Sequence, residues 1–305
     1  MSQIQNLISN REKRIRPSQK RTLTPQAQIF PRDIEQDYLK AMLELIDYVE
    51  NQASRMGFIS QVKEQNRQLK IIRGDAPIDV VTSDVSVMEE SFFSEYSDEI
   101  FLGMAVGIAG RLLSRNRNLV SKQLSSATGQ DPIFTDNNTK ELTDMFVVNN
   151  VRLIKSVPAR LFSQLTSVLQ NGFQQGLESN EIADQLEKQI GIAKNDAARI
   201  ARDQVATLNG QLTKVRQQSV GIDMYKWKTA NDERVRGKSG GKYPNAIPSH
   251  WSMNNVLCRW DNNSVYSVDG GKTWIPRTGK MPMTIPGAPI NCRCYAEPFF
   301  DNIKT

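Results

Sequence analysis

Tyr38, Met42, Leu45 and Val49 recur at steps of 4, 3 and 4 just after Pro31 and Asp33, the spacing of a helix with one apolar face behind a helix start. Residues 100–125 read as a second helix, in which Gly103, Gly107 and Gly110 are expected to let another backbone approach closely. Between the two, 74–99 carries Pro77, several acids and the short apolar pieces 78–81 and 92–93, and reads as an irregular connection. Residues 127–140 are rich in Gly, Pro, Asp, Asn and Thr, which predicts a linker and a subdomain boundary.

From 141 to 220 the pattern is almost wholly helical. Leu161, Leu165, Val168 and Leu169 share one face, and Gly172 and Gly176 mark its end. Ser179 is expected to cap a short helix that carries Ile182 and Leu186 and stops near Gly191. Asn195 then caps a longer one, whose Ala201, Val205, Leu208, Leu212 and Val215 form a seam for a partner helix and which Gly221 terminates. Beyond it the texture changes to aromatic and β-branched pieces between turns: 224–229, 255–261, 264–268 and 292–299. Asp269-Gly270-Gly271 reads as a hairpin turn.

These elements predict an α+β chain in four stretches: an arm over 1–32, a helical region over 33–140, a helical bundle segment over 141–220 and a small domain of short antiparallel strands over 221–305. Charge changes the picture of the first stretch. The formal net charge is +6, which favours encounter with polyanions. Arg11, Lys13, Arg14, Arg16, Lys20 and Arg21 lie among Ser, Gln, Thr and Pro, with Glu12 the only acid before Asp33. That composition predicts a flexible basic arm able to neutralise phosphates without reading sequence. A solubilising or partner-docking tail is the competing reading.

Other features exclude function classes. The longest apolar run, over 100–113, is about 14 residues and short of the roughly 20 a membrane span needs. The first ten residues lack the apolar core of a signal peptide. Three cysteines, an odd number, argue against a disulfide framework and for a reducing compartment. Gly237-Lys238-Ser239 ends like a phosphate-binding loop, but the earlier glycine and the leading strand are missing.

The candidate chemistry is concentrated near the end of the sequence. The single histidine, His250, and all the cysteines, Cys258, Cys292 and Cys294, lie there. Cys292 and Cys294, one residue apart, point to the same face of an extended strand and diverge on a helix. With His250 and Cys258 they complete the Cys₃His set of structural zinc, although zinc sites more often space paired cysteines wider. Two readings compete with zinc: small buried apolar groups locking a terminal strand, the stronger reading for Cys258, and a catalytic thiol with His250 as base. Asp232, Arg234 and Arg236 read either as a solvated turn orienting His250 or as part of a phosphate-handling or glycosyl-transfer constellation.

The order of these pieces resembles the phage Mu protein F-like family of minor head, or head morphogenesis, proteins. The matching words run from Ala197-Ala198-Arg199-Ile200-Ala201-Arg202-Asp203-Gln204 through Gly221-Ile222 and Tyr225-Lys226-Trp227-Lys228-Thr229-Ala230 to Asp232-Glu233-Arg234-Val235-Arg236. They continue with Pro248-Ser249-His250, Met253-Asn254-Asn255, Cys258-Arg259-Trp260-Asp261, Pro286-Gly287 and Ile290-Asn291-Cys292-Arg293-Cys294. The likeness covers roughly 145–300. Two departures stand out: a Gly- and Pro-bearing insert over 237–248, and Cys258 where the family pattern is hydrophobic. The resemblance implies a non-enzymatic virion component at the portal vertex, in contact with the portal protein, packaged double-stranded DNA and scaffold or major capsid protein, acting in head assembly or genome delivery without a membrane. The alternative is a metal-dependent hydrolase or toxin-like transferase built on the same cluster.

Overall fold

The computed structural model describes residues 3–14, 25–55, 77–134 and 137–300. Six helices precede the strands among them: α1 Gln3–Arg14, α2 Arg32–Arg55, α3 Pro77–Glu95, α4 Asp98–Thr128, α5 Asn137–Gln174 and α6 Ser179–Ser219. The strands are β1 Met224–Lys228, β2 Leu257–Arg259, β3 Val265–Tyr266, β4 Ile275–Pro276 and β5 Tyr295–Pro298, with a short 3₁₀ turn at Trp251–Met253. The chain is therefore α+β, mainly helical with a small antiparallel sheet at its end.

Contacts divide the chain into two compact units that interleave in sequence. One comprises Met1–Ile34, Ala109–Phe146 and Arg202–Thr305, the other Glu35–Ile108 and Val147–Ala201. The units thus cut across the consecutive stretches that composition suggests, because α4, α5 and α6 each contribute to both.

In the unit built from 35–108 and 147–201, the apolar spacing is realised directly. Tyr38, Met42, Leu45 and Val49 of α2 and Leu161, Leu165, Val168 and Leu169 of α5 are buried. An aromatic group joins them, with Phe92 edge-on to Phe162 at 5.6 Å and to Tyr48 at 5.7 Å. The polar exception in this core is paired: Tyr38 donates its hydroxyl proton to Asn150 Oδ1 at 2.6 Å. Burial raises the Tyr38 phenol above its ordinary range.

Four local expectations are corrected. Residues 77–95 are a helix and not an irregular connection, since Val85, Met88 and Phe92 recur at helical spacing and are buried. Among the described residues nothing lies within 4 Å of a Cβ built on Gly103, Gly107 or Gly110, so no neighbouring backbone approaches them there. Gly191 does not stop a helix: α6 runs unbroken through it for 41 residues, because its flanks supply enough buried apolar positions to outweigh one glycine. Its start is secured by Glu181, which accepts the backbone N–H of Glu178 at 2.9 Å, half of a capping box.

The start of the arm over 1–32 is the fourth correction, and residues 15–24 of it lie outside the described residues. Residues 3–14 are helical, and Ile4 and Leu7 are buried with Val120, Leu124, Phe134, Val220 and Ile222. Ile4 N–H donates to Val220 O at 3.0 Å. Further along, the Gln28 amide is buried and donates to Thr213 Oγ1 at 3.3 Å. The step from Ile4 to Leu7 is one helical turn, a signal that the polar composition around it obscured.

In the same unit the exit of α6 is as read. Ile222 N–H bonds Gln217 O and Gly221 N–H bonds Gln218 O, both at 2.9 Å, with Gly221 at φ +88°. This is a Schellman closure, which needs the left-handed conformation glycine adopts freely. The chain then enters the sheet of order β2-β1-β5, all antiparallel, with Tyr225 opposite Cys258 and Trp227 opposite Ala296. Along β1 burial alternates, so Tyr225 and Trp227 point inward into a core with Met253, Trp260, Ile285, Cys292 and Cys294. β3 and β4 form the expected hairpin, whose turn is braced by Asp269 accepting from Thr273 Oγ1 at 2.6 Å and Thr273 N at 3.0 Å.

Candidate functional site

Helix α6 is the platform on which the C-terminal segment is assembled. Arg202 Nη1 donates to Asn291 Oδ1 at 2.9 Å, while Asp203 Oδ1 accepts the Asn291 N–H at 2.5 Å. Asn291, whose backbone is at φ 55°, is thus gripped at its side chain and its N–H by two successive side chains of one helical turn. Nearby, Pro286-Gly287 lies flat against the same helix. A Cβ on Gly210 would fall 2.4 Å from Pro286 O, and one on Gly287 would fall 2.5 Å from Ala206 O. Glycine is required at both places by the closeness of the two backbones, and at Gly287 by φ +92° as well.

Gln217 on the same helix ties in the sheet. Its Nε2 donates to Ala296 O at 3.2 Å and its Oε1 accepts the Trp260 indole N–H at 3.1 Å. From the opposite end of the motif, Arg236 Nη2 donates to Ile290 O at 3.0 Å, and Arg236 O accepts the N–H of both His250 and Trp251 at 3.0 Å. The insert over 237–248 therefore leaves His250 in register with Arg236. Asp232 pairs with Arg293 at 2.6 Å and accepts the Arg234 N–H at 3.0 Å. These charged residues brace the turn and hold the 290–293 segment.

That scaffold brings three potential ligands together. His250 Nδ1 lies 3.5 Å from Cys292 Sγ and 3.5 Å from Cys294 Sγ, and the three donor atoms lie within 4.8 Å of one another. Cys292 and Cys294 sit in the irregular segment leading into β5, so the strand starts three residues later than the range 292–299 suggests. Their one-residue spacing still turns both sulfurs toward the imidazole. Relative exposure is 3% for His250, 1% for Cys292 and 9% for Cys294. The wall includes Trp227, whose ring stands edge-on to the imidazole at 6.1 Å.

The two thiols behave as a pair with one easy and one hard ionisation. Burial of Cys292 opposes its ionisation, but hydrogen bonds with Cys294 and His250, and the imidazole's charge, outweigh it and hold this thiol well below the ordinary range. Cys294, hydrogen-bonded to Cys292 and buried, is pushed well above it. Cys258 shares the apolar core but is not one of the clustered donors. Its thiol faces Val256 O at 3.7 Å, and burial pushes it up.

Of the six clustered basic residues of the arm, Arg11, Lys13 and Arg14 fall in the second half of α1, while Arg16, Lys20 and Arg21 lie outside the described residues. Sequence reasoning passed over a buried polar network. Asn116 donates to Asn209 Oδ1 at 2.8 Å and to Thr213 Oγ1 at 2.9 Å, and accepts from Arg216. It also passed over Arg277, buried, which donates to Val265 O, Pro282 O and Thr284 O at 3.2, 2.8 and 3.0 Å. A polar residue at an apolar phase of the helix was the only signal for Asn116; Arg277 left none.

A helix platform, a clamped Pro-Gly turn and a buried Cys-X-Cys beside histidine define an α+β protein whose C-terminal sheet is closed by a specific structural motif. Residues 163–297 match the family described as Phage Mu protein F like protein. Over this span the chain is similar to the Mu protein F-like family, a likeness that suggests a phage head morphogenesis protein. An uncharacterized protein of Haemophilus influenzae is 26% identical over 202 residues, covering 65% of this chain. The chain spans 39% of that relative's length. No solved structure matches it. Among the described residues no helix is long and apolar enough to cross a membrane.

Proposed function

We propose that the chain is a minor capsid protein of a tailed phage that works at the portal vertex during head assembly, in contact with packaged DNA, and that its role is structural rather than catalytic. The observation that carries the reading is the family match over 163–297, a span that includes Arg202, Asp203 and Asn291, which clamp the terminal segment to α6. The burial of His250, Cys292 and Cys294 supports a structural role, since an enzyme's reacting groups must meet substrate.

The basic residues Arg11, Lys13, Arg14, Arg16, Lys20 and Arg21 are the proposed DNA contact. Deleting the arm would also remove Ile4 and Leu7 from a core, so the informative variant changes these six residues to Gln and leaves the helix. Wild-type protein should shift duplex DNA without sequence preference, with log affinity falling against log salt by about 0.9 per phosphate neutralised. The variant should lose most of that slope. Wild type that shifts no DNA at low salt overturns the DNA contact. Co-purification with a portal ring tests the other half, and absence of co-purification by the wild type overturns it. Where the six-Gln variant keeps the portal, exposed apolar positions such as Leu102, Val106 and Val148 are the surface to substitute next.

A further inference from the structure

We infer that His250, Cys292 and Cys294 bind one zinc ion through His250 Nδ1 and the two thiolates. The proposal stands apart from the capsid role, since it rests on the three side chains alone.

Distance is the first argument. Tetrahedral zinc with bonds of about 2.3 Å to sulfur and about 2.05 Å to nitrogen sets each nitrogen–sulfur edge at about 3.55 Å. Both observed separations from His250 Nδ1 are 3.5 Å.

Convergence is the second. One imidazole nitrogen has a single lone pair and accepts one proton at a time. Two sulfurs equidistant from it cannot both donate to that one nitrogen, whereas a shared ion satisfies all three atoms together.

Charge is the third. Two thiolates and a neutral imidazole around a divalent ion sum to zero, which suits a site where the histidine and Cys292 are 3% and 1% exposed. Metal binding displaces the thiol protons to solvent, and no other bond changes.

No fourth histidine, cysteine, aspartate or glutamate joins the group among the described residues, so the remaining position of the ion is left for water. Cys258, which completed a Cys₃His set on paper, is outside the group. The ion would join the turn carrying His250 to a segment 42 and 44 residues further on.

The test is metal content of the full chain purified without chelator from zinc-supplemented cells. About one zinc per chain is expected, and less than about a tenth overturns the proposal. Cys258→Ala should retain the metal, while Cys292→Ser with Cys294→Ser should lose it. Zinc kept by that double variant also overturns the assignment. Because the double variant can fail to fold, wild type is also melted with and without a zinc chelator. A fall in Tm that added zinc reverses is expected, and an unchanged Tm overturns the proposal. Cobalt in place of zinc should show thiolate charge-transfer absorption, and its absence counts against these ligands.

Discussion

In the unit formed by 35–108 and 147–201, cohesion comes from apolar side chains on helix faces, with ion pairs such as Lys155–Asp98 left 37% and 75% exposed. The sheet region of the other unit depends on single atoms in fixed places: the Asn291 clamp, the Gln217 link and the two backbones touching at Gly210 and Gly287. A core of the first kind tolerates changes that conserve volume, whereas one of the second kind resists changes as small as a methyl group.

The largest effect expected is at Trp227, fully buried with Arg277 over its ring at 5.7 Å. Trp227→Ala should cost about 3–5 kcal/mol in denaturant unfolding. A loss below about 1 kcal/mol would show that the sheet collapses around the gap and is no more demanding than the helical unit.

The sharper comparison is one substitution made twice. Gly210→Ala puts a methyl group against Pro286 O and should destabilise by about 1–3 kcal/mol, even though alanine is the better helix former. Gly107→Ala meets nothing within 4 Å and should stabilise by about 0.5–1 kcal/mol. Equal signs for the two would remove the distinction between the regions. Smallest of all, Lys155→Ala should change stability by less than about 1 kcal/mol, and by less still at high salt. A larger loss would mean that surface charge holds the helical unit after all.

How far the sequence could be read follows the same division. Periodic apolar positions located α2, α5 and the seam of α6, because burial of a helix face is written in spacing alone. The helix over 77–95 was hidden by Pro77 and its acids, and Gly191 looked like a stop because local propensity is weak beside the packing on either side of it. In the site, the residue inventory was legible, and so was the demotion of Cys258. The convergence of both sulfurs on one nitrogen was not, since it depends on His250 being hung from Arg236 O across the insert. Nor were Arg277 and Asn116 visible, whose partners are backbone and side-chain atoms brought near only by the tertiary fold.

The grip of Arg202 and Asp203 on Asn291 spans 89 and 88 residues, and β5 pairs with β1 from about 70 residues away. Such closures carry a high loop-entropy cost and form late. A ribosome that has released everything up to Ile285 has therefore made the platform without its cover, leaving Trp227 and Tyr225 temporarily exposed. The final dozen residues of the motif should therefore dock last, and a nascent chain stalled before them should aggregate more readily than one that has released them.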